Sequence, residues 1–179
     1  MRLLFSFAVG VVLMPAGLAV VTAEQLLPPP VDGDIRVVHW DLQNRSQVWL
    51  TLEPKAPDGT PAPLLTLAWD FAGKRPVSPP TQIELRAYAG VFWAPRVELW
   101  LALDDEARFD LVAGPVFGLV SGVGSDYLPA AVSIETLQRI ADARRVAGNA
   151  LGFPFELSDA QRLAVRAFLE RVTGGQPRD

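Results

Sequence analysis

From residue 46 to residue 113 the chain keeps returning to one pattern: an apolar side chain at every second position, broken by turn residues. In QVWLTLEP, Val48, Leu50 and Leu52 fall on one side of an extended chain, and Trp49, Thr51 and Glu53 on the other. PLLTLAWDF groups Leu65, Leu67, Trp69 and Phe71 on one side. TQIELRAYAG sets Ile83, Leu85, Ala87 and Ala89 against Glu84, Arg86 and Tyr88. RVELWLAL sets Val97, Leu99, Leu101 and Leu103 against Glu98, Trp100 and Ala102, and ARFDLVAG sets Phe109, Leu111 and Ala113 against Asp110 and Val112. A period of two is that of a strand with one buried face. IRVVHWD, residues 35–41, reads as a weaker first strand.

The connections carry turn chemistry. In PKAPDGTPAP, residues 54–63, Pro fixes φ, Asp bonds the backbone and Gly accepts positive φ. KRPVSPP separates strands at 74–80, and Asp104, Asp105 and Glu106 sit at a hairpin tip. Short alternating strands joined by polar turns favour an antiparallel sheet over βαβ units.

The period changes after residue 132. SIETLQRIADA starts at Ser133, a good N-cap, and places Leu137, Ile140 and Ala141 on one helical face. SDAQRLAVRAFLERV opens on Ser158 and Gln161, the S-x-x-Q form of a capping box, and carries a stripe of Val165, Phe168, Leu169 and Val172. Gly174-Gly175 ends it. Between the helices, Arg144 and Arg145 close the first one, where cations suit the negative end of the helix dipole. Gly148-Asn149 and Gly152 permit a reversal, and Phe153 and Phe155 return the chain to the core. An anion site at Arg144 and Arg145 needs converging donors, and neither has a partner visible in the sequence, so the stretch reads as a closing clasp. The fold class expected is α+β, mainly β: an antiparallel β-sandwich or curved sheet with two C-terminal helices.

The segment IADARRVAGNALGFPFELSDAQRLAVRAFL has Ala143, Val146 and Gly148, then Gly152, then Phe155, Leu157 and Ser158, then Gln161 and Phe168 in a recognisable order. It resembles the ending of an uncharacterised family of small exported bacterial β-sheet domains with a C-terminal helix–hairpin–helix. The hairpin RVELWLALDDEARFDLVAG resembles the strand pair that precedes that ending, so the resemblance covers residues 46–172. It implies a β-sheet domain with C-terminal helices and supplies no catalytic residues. Pro154 departs from the pattern; it is expected to block a ladder donor and leave its arm edge-like or bulged.

The amino end reads differently. Arg2, the apolar run LLFSFAVGVVLM and the small-residue stretch PAGLAVVTA describe a secretory signal peptide over residues 1–23, cleaved between Ala23 and Glu24. Pro15 and Gly17 interrupt the run, so no membrane span is expected once the signal is removed. EQLLPPPVDGD, residues 24–34, reads as a Pro-rich spacer, residues 35–173 as a single β-rich domain and residues 174–179 as a flexible tail. Export to the periplasm or the exterior, with an envelope or extracellular partner, is the expectation. Loss of Arg2 takes the net charge from −4 to −5, and scattered basic residues on an acidic domain argue against nucleic acid. The chain is cysteine-free, so export brings no disulfides and stability rests on core burial.

Few groups offer chemistry. With no Cys and one His, a zinc site lacks ligands, and no metal or cofactor is expected. His39 and Asp41 share a strand face and suggest an oriented imidazole, with Ser121 or Ser125 as its nucleophile; no G-x-S-x-G elbow accompanies them. GLVSGVGSDYLP offers Gly118, Gly122 and Gly124 but neither a dinucleotide fingerprint nor a P-loop lysine, and reads as a loop. Asp104, Asp105 and Glu106 supply too few oxygens for Ca²⁺. Glu84 and Glu98, on consecutive strands, are the candidates for an opposed carboxylate pair. The expectation is therefore a non-enzymatic domain with a structural or binding role. A hydrolase acting on envelope material is the more distant alternative.

Trp49, Tyr88 and Trp100 occupy the strand sides opposite the aliphatic ones, next to Thr51, Arg86 and Glu98. An aromatic strip with polar neighbours can stack a carbohydrate or dock an apolar ligand. The plainer expectation is that the C-terminal helices cover that face.

Overall fold

A computed structural model describes residues 31–60, 62–88, 98–104, 106–111 and 127–174. Their elements are β1 (Ile35–Trp40), β2 (Arg45–Leu52), β3 (Leu64–Ala72), β4 (Gln82–Tyr88), β5 (Leu99–Leu103), β6 (Phe109–Asp110), β7 (Tyr127–Ser133), α1 (Ile134–Asp142), β8 (Val146–Ala150), β9 (Phe153–Leu157) and α2 (Asp159–Thr173). A 3-10 turn, Asp41–Gln43, joins β1 to β2 and ends on Asn44 in the left-handed region, which Asn tolerates. The strands form two antiparallel sheets. One has five strands in the order β1-β2-β3-β4-β7, and the other four in the order β6-β5-β8-β9. The described residues are mainly β with two helices, as the change of period along the chain implied.

One core joins all layers. Leu50, Leu67 and Leu85 from the large sheet, Leu101 and Phe155 from the small one, and Leu137 and Phe168 from the helices belong to the same buried cluster. Of the residues expected on the aliphatic strand sides, Val48, Leu50, Leu52, Leu65, Leu67, Ile83, Leu85, Ala87, Leu99, Leu101 and Leu103 lie inside it and Trp69, Phe71, Phe109 and Leu111 pack against it, while Ala89, Val97 and Ala113 lie outside the described residues. The cavity at its centre holds about 20 Å³, room for little more than one water. The helices therefore close the aliphatic side of the large sheet, against the expectation that they cover the aromatic one. The reason is in their own stripes: Leu137, Ile140, Val165 and Phe168 gain most by packing on other aliphatic groups.

Both helices start where their caps sit. Ser133 Oγ accepts the Thr136 N–H at 3.0 Å, and Ser158 and Gln161 form a complete capping box. The C-terminal carbonyls of α1 are met by Arg162, bonded to the Ala143 oxygen, and Arg166, 3.0 Å from the Ala141 oxygen. Cations do serve that end of the helix, and the two bonded to its last carbonyls come from α2.

The closing hairpin is more tightly determined than its sequence suggests. Gly148 and Asn149 lie inside β8; the reversal is Leu151-Gly152, with φ of 59° and 86°. Two positive φ values in a two-residue loop make a type I′ turn, matched to strand twist. Asn149 Oδ1 accepts the Gly152 N–H at 3.0 Å. Gly148 is required for another reason. A Cβ there would lie 2.5 Å from Phe155 Cζ and 2.8 Å from the Trp100 carbonyl oxygen. Pro154 removes no ladder donor. The Glu156 N–H points outward to the Lys55 carbonyl at 2.8 Å, and Pro154, two residues earlier, faces the same way. β9 is an edge strand, as Pro154 implied.

The last residues expected in the spacer are fastened to the domain. The Gly33 N–H donates to Thr51 O at 2.8 Å. Asp32 accepts from the Glu53 N–H at 2.8 Å and from the buried Gln161 amide.

Candidate functional site

The outer face of the large sheet concentrates the rings and charges that the core does not use. Register fixes the neighbours. Trp49 on β2 lies between Arg36 on β1 and Ala68 on β3, and Ala68 faces Glu84 on β4. The next row on one side brings Gln47 beside Asp70, and on the other Thr51, Thr66, Arg86 and Pro129. Small residues in the middle strands leave space over which the long side chains fold, so Thr51, Thr66, Ala68 and Gln47 are buried although they face away from the core.

Arg86 is the hub. Its side chain is 16% exposed, with Nε 2.5 Å from Glu84 Oε1 and Nη2 3.8 Å from Asp70 Oδ2. Its guanidinium carbon lies 5.4 Å from the Tyr127 ring centroid, within cation–π range. The Tyr88 and Tyr127 rings pack at 5.2 Å with a tilt of 41°. Burial opposes the charge on Arg86, but the hydrogen bond and charge of Glu84, with help from Tyr88 and Tyr127, outweigh it and raise its pKa. Gln47 Nε2 donates to both Asp70 oxygens at 3.0 Å. Trp49 is half-buried, and among the described residues its indole N–H is buried without a hydrogen-bond partner. It contributes ring area here, not an internal hydrogen bond.

The three aromatics expected in one strip do not form one. Trp49 and Tyr88 share the outer face of the large sheet, but Trp100 belongs to β5 in the small sheet, opposite Asn149 and Asp110. There it meets Arg108 at 5.4 Å. Strand alternation assigns a side chain to a face but does not say which sheet the strand joins. Tyr88 also lies four residues along β4 from Glu84, the residue in Trp49's row, which separates the two backbone positions by roughly 16 Å at standard strand spacings. Tyr127, which completes the aromatic cluster, is in a strand that the sequence hid behind Pro129.

His39 does join a three-membered array, with a different serine. Its Nε2 lies 3.2 Å from Asp41 Oδ1 and its Nδ1 2.8 Å from Ser46 Oγ. Ser46 faces it across the β1–β2 ladder. Ser121 and Ser125 lie outside the described residues, as do Gly118, Gly122 and Gly124. Ser46 Oγ gives its proton to the Gly73 carbonyl at 2.6 Å and is 1% exposed. The bond to His39 must then be donated by the ring, the reverse of the direction a general base needs. Lys74, 3.4 Å from Asp41, completes a fastening between the β1–β2 turn and the β3–β4 connection.

The remaining acidic candidates are engaged elsewhere. Asp104 Oδ1 accepts the backbone N–H groups of Arg144 and Arg145 at 2.7 and 2.8 Å, and Glu106 pairs with Arg139. Asp105 lies outside the described residues. These groups edge an open groove of about 580 Å³ beside α1, in which Asp142 is paired with Arg166. Arg145, without a visible partner in the sequence, pairs with Glu156 across β8 and β9. Glu84 and Glu98 do not oppose each other on neighbouring strands, because the strand after β4 in sequence lies in the other sheet. Among the described residues no group of three potential metal ligands converges, and no helix is long and apolar enough to cross a membrane.

Comparison with protein-family models, with curated proteins and with solved structures found no match to this chain.

Proposed function

We propose that the chain is an exported, non-enzymatic binding domain whose ligand surface is the outer face of the large sheet, and that its ligand is a carbohydrate. One observation carries the reading: Arg86 held between Glu84 and Asp70 above the Tyr127 ring, with Tyr88 alongside. Fixed carboxylate and guanidinium groups read the hydroxyls of a sugar, and ring faces cover its C–H surface. Trp49 extends the same face along its row, while Trp100 is outside the site. Export rests on residues 1–23 and on the resemblance of residues 46–172 to exported domains, and it points to an envelope or extracellular glycan.

The test is binding of the purified protein to a glycan array and to soluble envelope polysaccharide, followed by calorimetry on whatever is retained. Trp49→Ala and Arg86→Gln are expected to weaken binding about tenfold or more, a loss of ~1.4 kcal/mol, with Trp100→Ala unchanged. Retention of no glycan, or equal binding by all three variants, overturns the proposal.

A further inference from the structure

An open sheet ends in edges whose unpaired N–H and C=O groups can accept another strand. Among the described residues the two sheets have four: β1, β7, β6 and β9. Three are blunted. β6 is two residues long. β9 turns Pro154 outward and has the Glu156 N–H bonded to Lys55. On β7, the Ile134 N–H just past the strand donates to Thr81 on the β4 side, so the alternate residues, Pro129 among them, face away from β4.

β1 carries none of these devices. It is six residues long, IRVVHW, without proline, and among the described residues no strand pairs with its outer side. Thr51 exchanges its backbone bonds with Asp34 and Gly33, so the alternate β2 residues Trp49 and Gln47 also face β1, and Arg36 and Val38 bond inward to them. That leaves the donors and acceptors of Ile35, Val37 and His39 facing outward. The Val37 side chain is 50% exposed, although its strand side is the aliphatic one.

We propose that β1 is the site at which a second copy of this chain adds, antiparallel, about a two-fold axis through Val37. The strand is self-complementary in that register. Val37 meets the partner's Val37, Ile35 meets the partner's His39, and Arg36 meets the partner's Val38. No like charges oppose each other, and Arg36 is already neutralised by Asp34 at 2.7 Å. The pairing forms about six backbone hydrogen bonds and joins two five-stranded sheets into one. It does not depend on the glycan reading.

The experiment is sedimentation equilibrium of the protein from low micromolar to hundreds of micromolar concentration. The wild type is expected to double in mass across that range. Val37→Pro removes an outward donor and no β1–β2 bond, and is expected to weaken association at least tenfold; Val37→Lys, which opposes two charges on the axis, is the second probe should the proline variant fail to fold. The chain lacks cysteine, so Val37→Cys supplies a single thiol on a residue whose Cα stands about 5.5 Å from its partner's across the axis, within disulfide reach. It is expected to crosslink, whereas Val77→Cys, fully exposed at the β3–β4 connection, is not. A wild type that stays monomeric throughout, or a dimer of unchanged strength in a folded Val37→Pro or Val37→Lys variant, overturns the proposal. Capture of the Val37→Cys thiol by a foreign polypeptide in place of a second copy also overturns it.

Discussion

Replacing Gly148 with Ala tests how the closing hairpin is seated. The added methyl would stand 2.5 Å from Phe155 Cζ, 2.8 Å from the Trp100 carbonyl oxygen and 2.9 Å from Leu101 Cδ2. Carbon pairs are at their best near 3.5–4.0 Å, so the Phe155 contact lies about 1 Å inside contact distance. Neither neighbour gives way cheaply. Phe155 is 1% exposed and walled by the core, and the carbonyl is backbone of the adjacent strand. Overpacking a core costs about 1–3 kcal/mol, and three simultaneous contacts put this site at the upper end, ~3 kcal/mol. For a chain of this length that lowers Tm by roughly 6–12 °C. The assay is urea denaturation followed by circular dichroism, run as a double-mutant cycle with Phe155→Leu. Shortening the ring removes the closest contact, so the glycine substitution is expected to cost at least ~1 kcal/mol less in that background. A loss below about 0.5 kcal/mol for Gly148→Ala alone, or an additive cycle, would show that Phe155 does not lie over Gly148.

Two further outcomes follow from polar contacts. Gln161 is 4% exposed, donates to both oxygens of the exposed Asp32 and accepts the Ser158 N–H, so Gln161→Ala takes an amide partner from that carboxylate and opens the capping box. Its expected loss is ~2 kcal/mol by urea titration, shared with Asp32→Ala and not additive to it; full additivity would sever the two. At Asp58, the Thr60 hydroxyl and backbone N–H, 2.6 and 3.0 Å away, hold the carboxyl below its ordinary 3.8. The folded state therefore binds that proton less readily than the unfolded one. Its contribution is present above the unfolded value and fades as pH falls through the lowered one. Thr60→Val is expected to move the carboxyl carbon's NMR titration up towards 3.8, and an unmoved midpoint would remove the hydroxyl as the cause.

Some of this was legible along the chain because it is local. The sides of β2, β3, β4 and β5 follow from alternation, and the starts of α1 and α2 from Ser133 and Ser158, whose caps need no distant partner. β7 was not legible. Leu128, Ala130 and Val132 do alternate, but Pro129 speaks against a strand until the sheet places it at an edge with its nitrogen outward. Leu151 was not legible as a turn residue either. A leucine at φ 59° is disfavoured alone and is held there by 3% exposure in the core.

The candidate site divides in the same way. The sequence by itself determined that Trp49, Arg86 and Tyr88 would turn from the aliphatic side, because strand geometry alternates faces within a few residues. His39 does meet Asp41, but through the 3-10 turn that Asp41 opens and not along a shared strand face. The sequence also determined the absence of disulfides, since the chain has no cysteine. Only the tertiary structure decided that Trp100 joins the other sheet, that Tyr127 comes to Arg86, and that Ser46, bonded to Gly73, meets His39. Those outcomes depend on which strand pairs with which. Pairing is set by how two sheets and two helices share one core, a quantity that no single stretch of the chain contains.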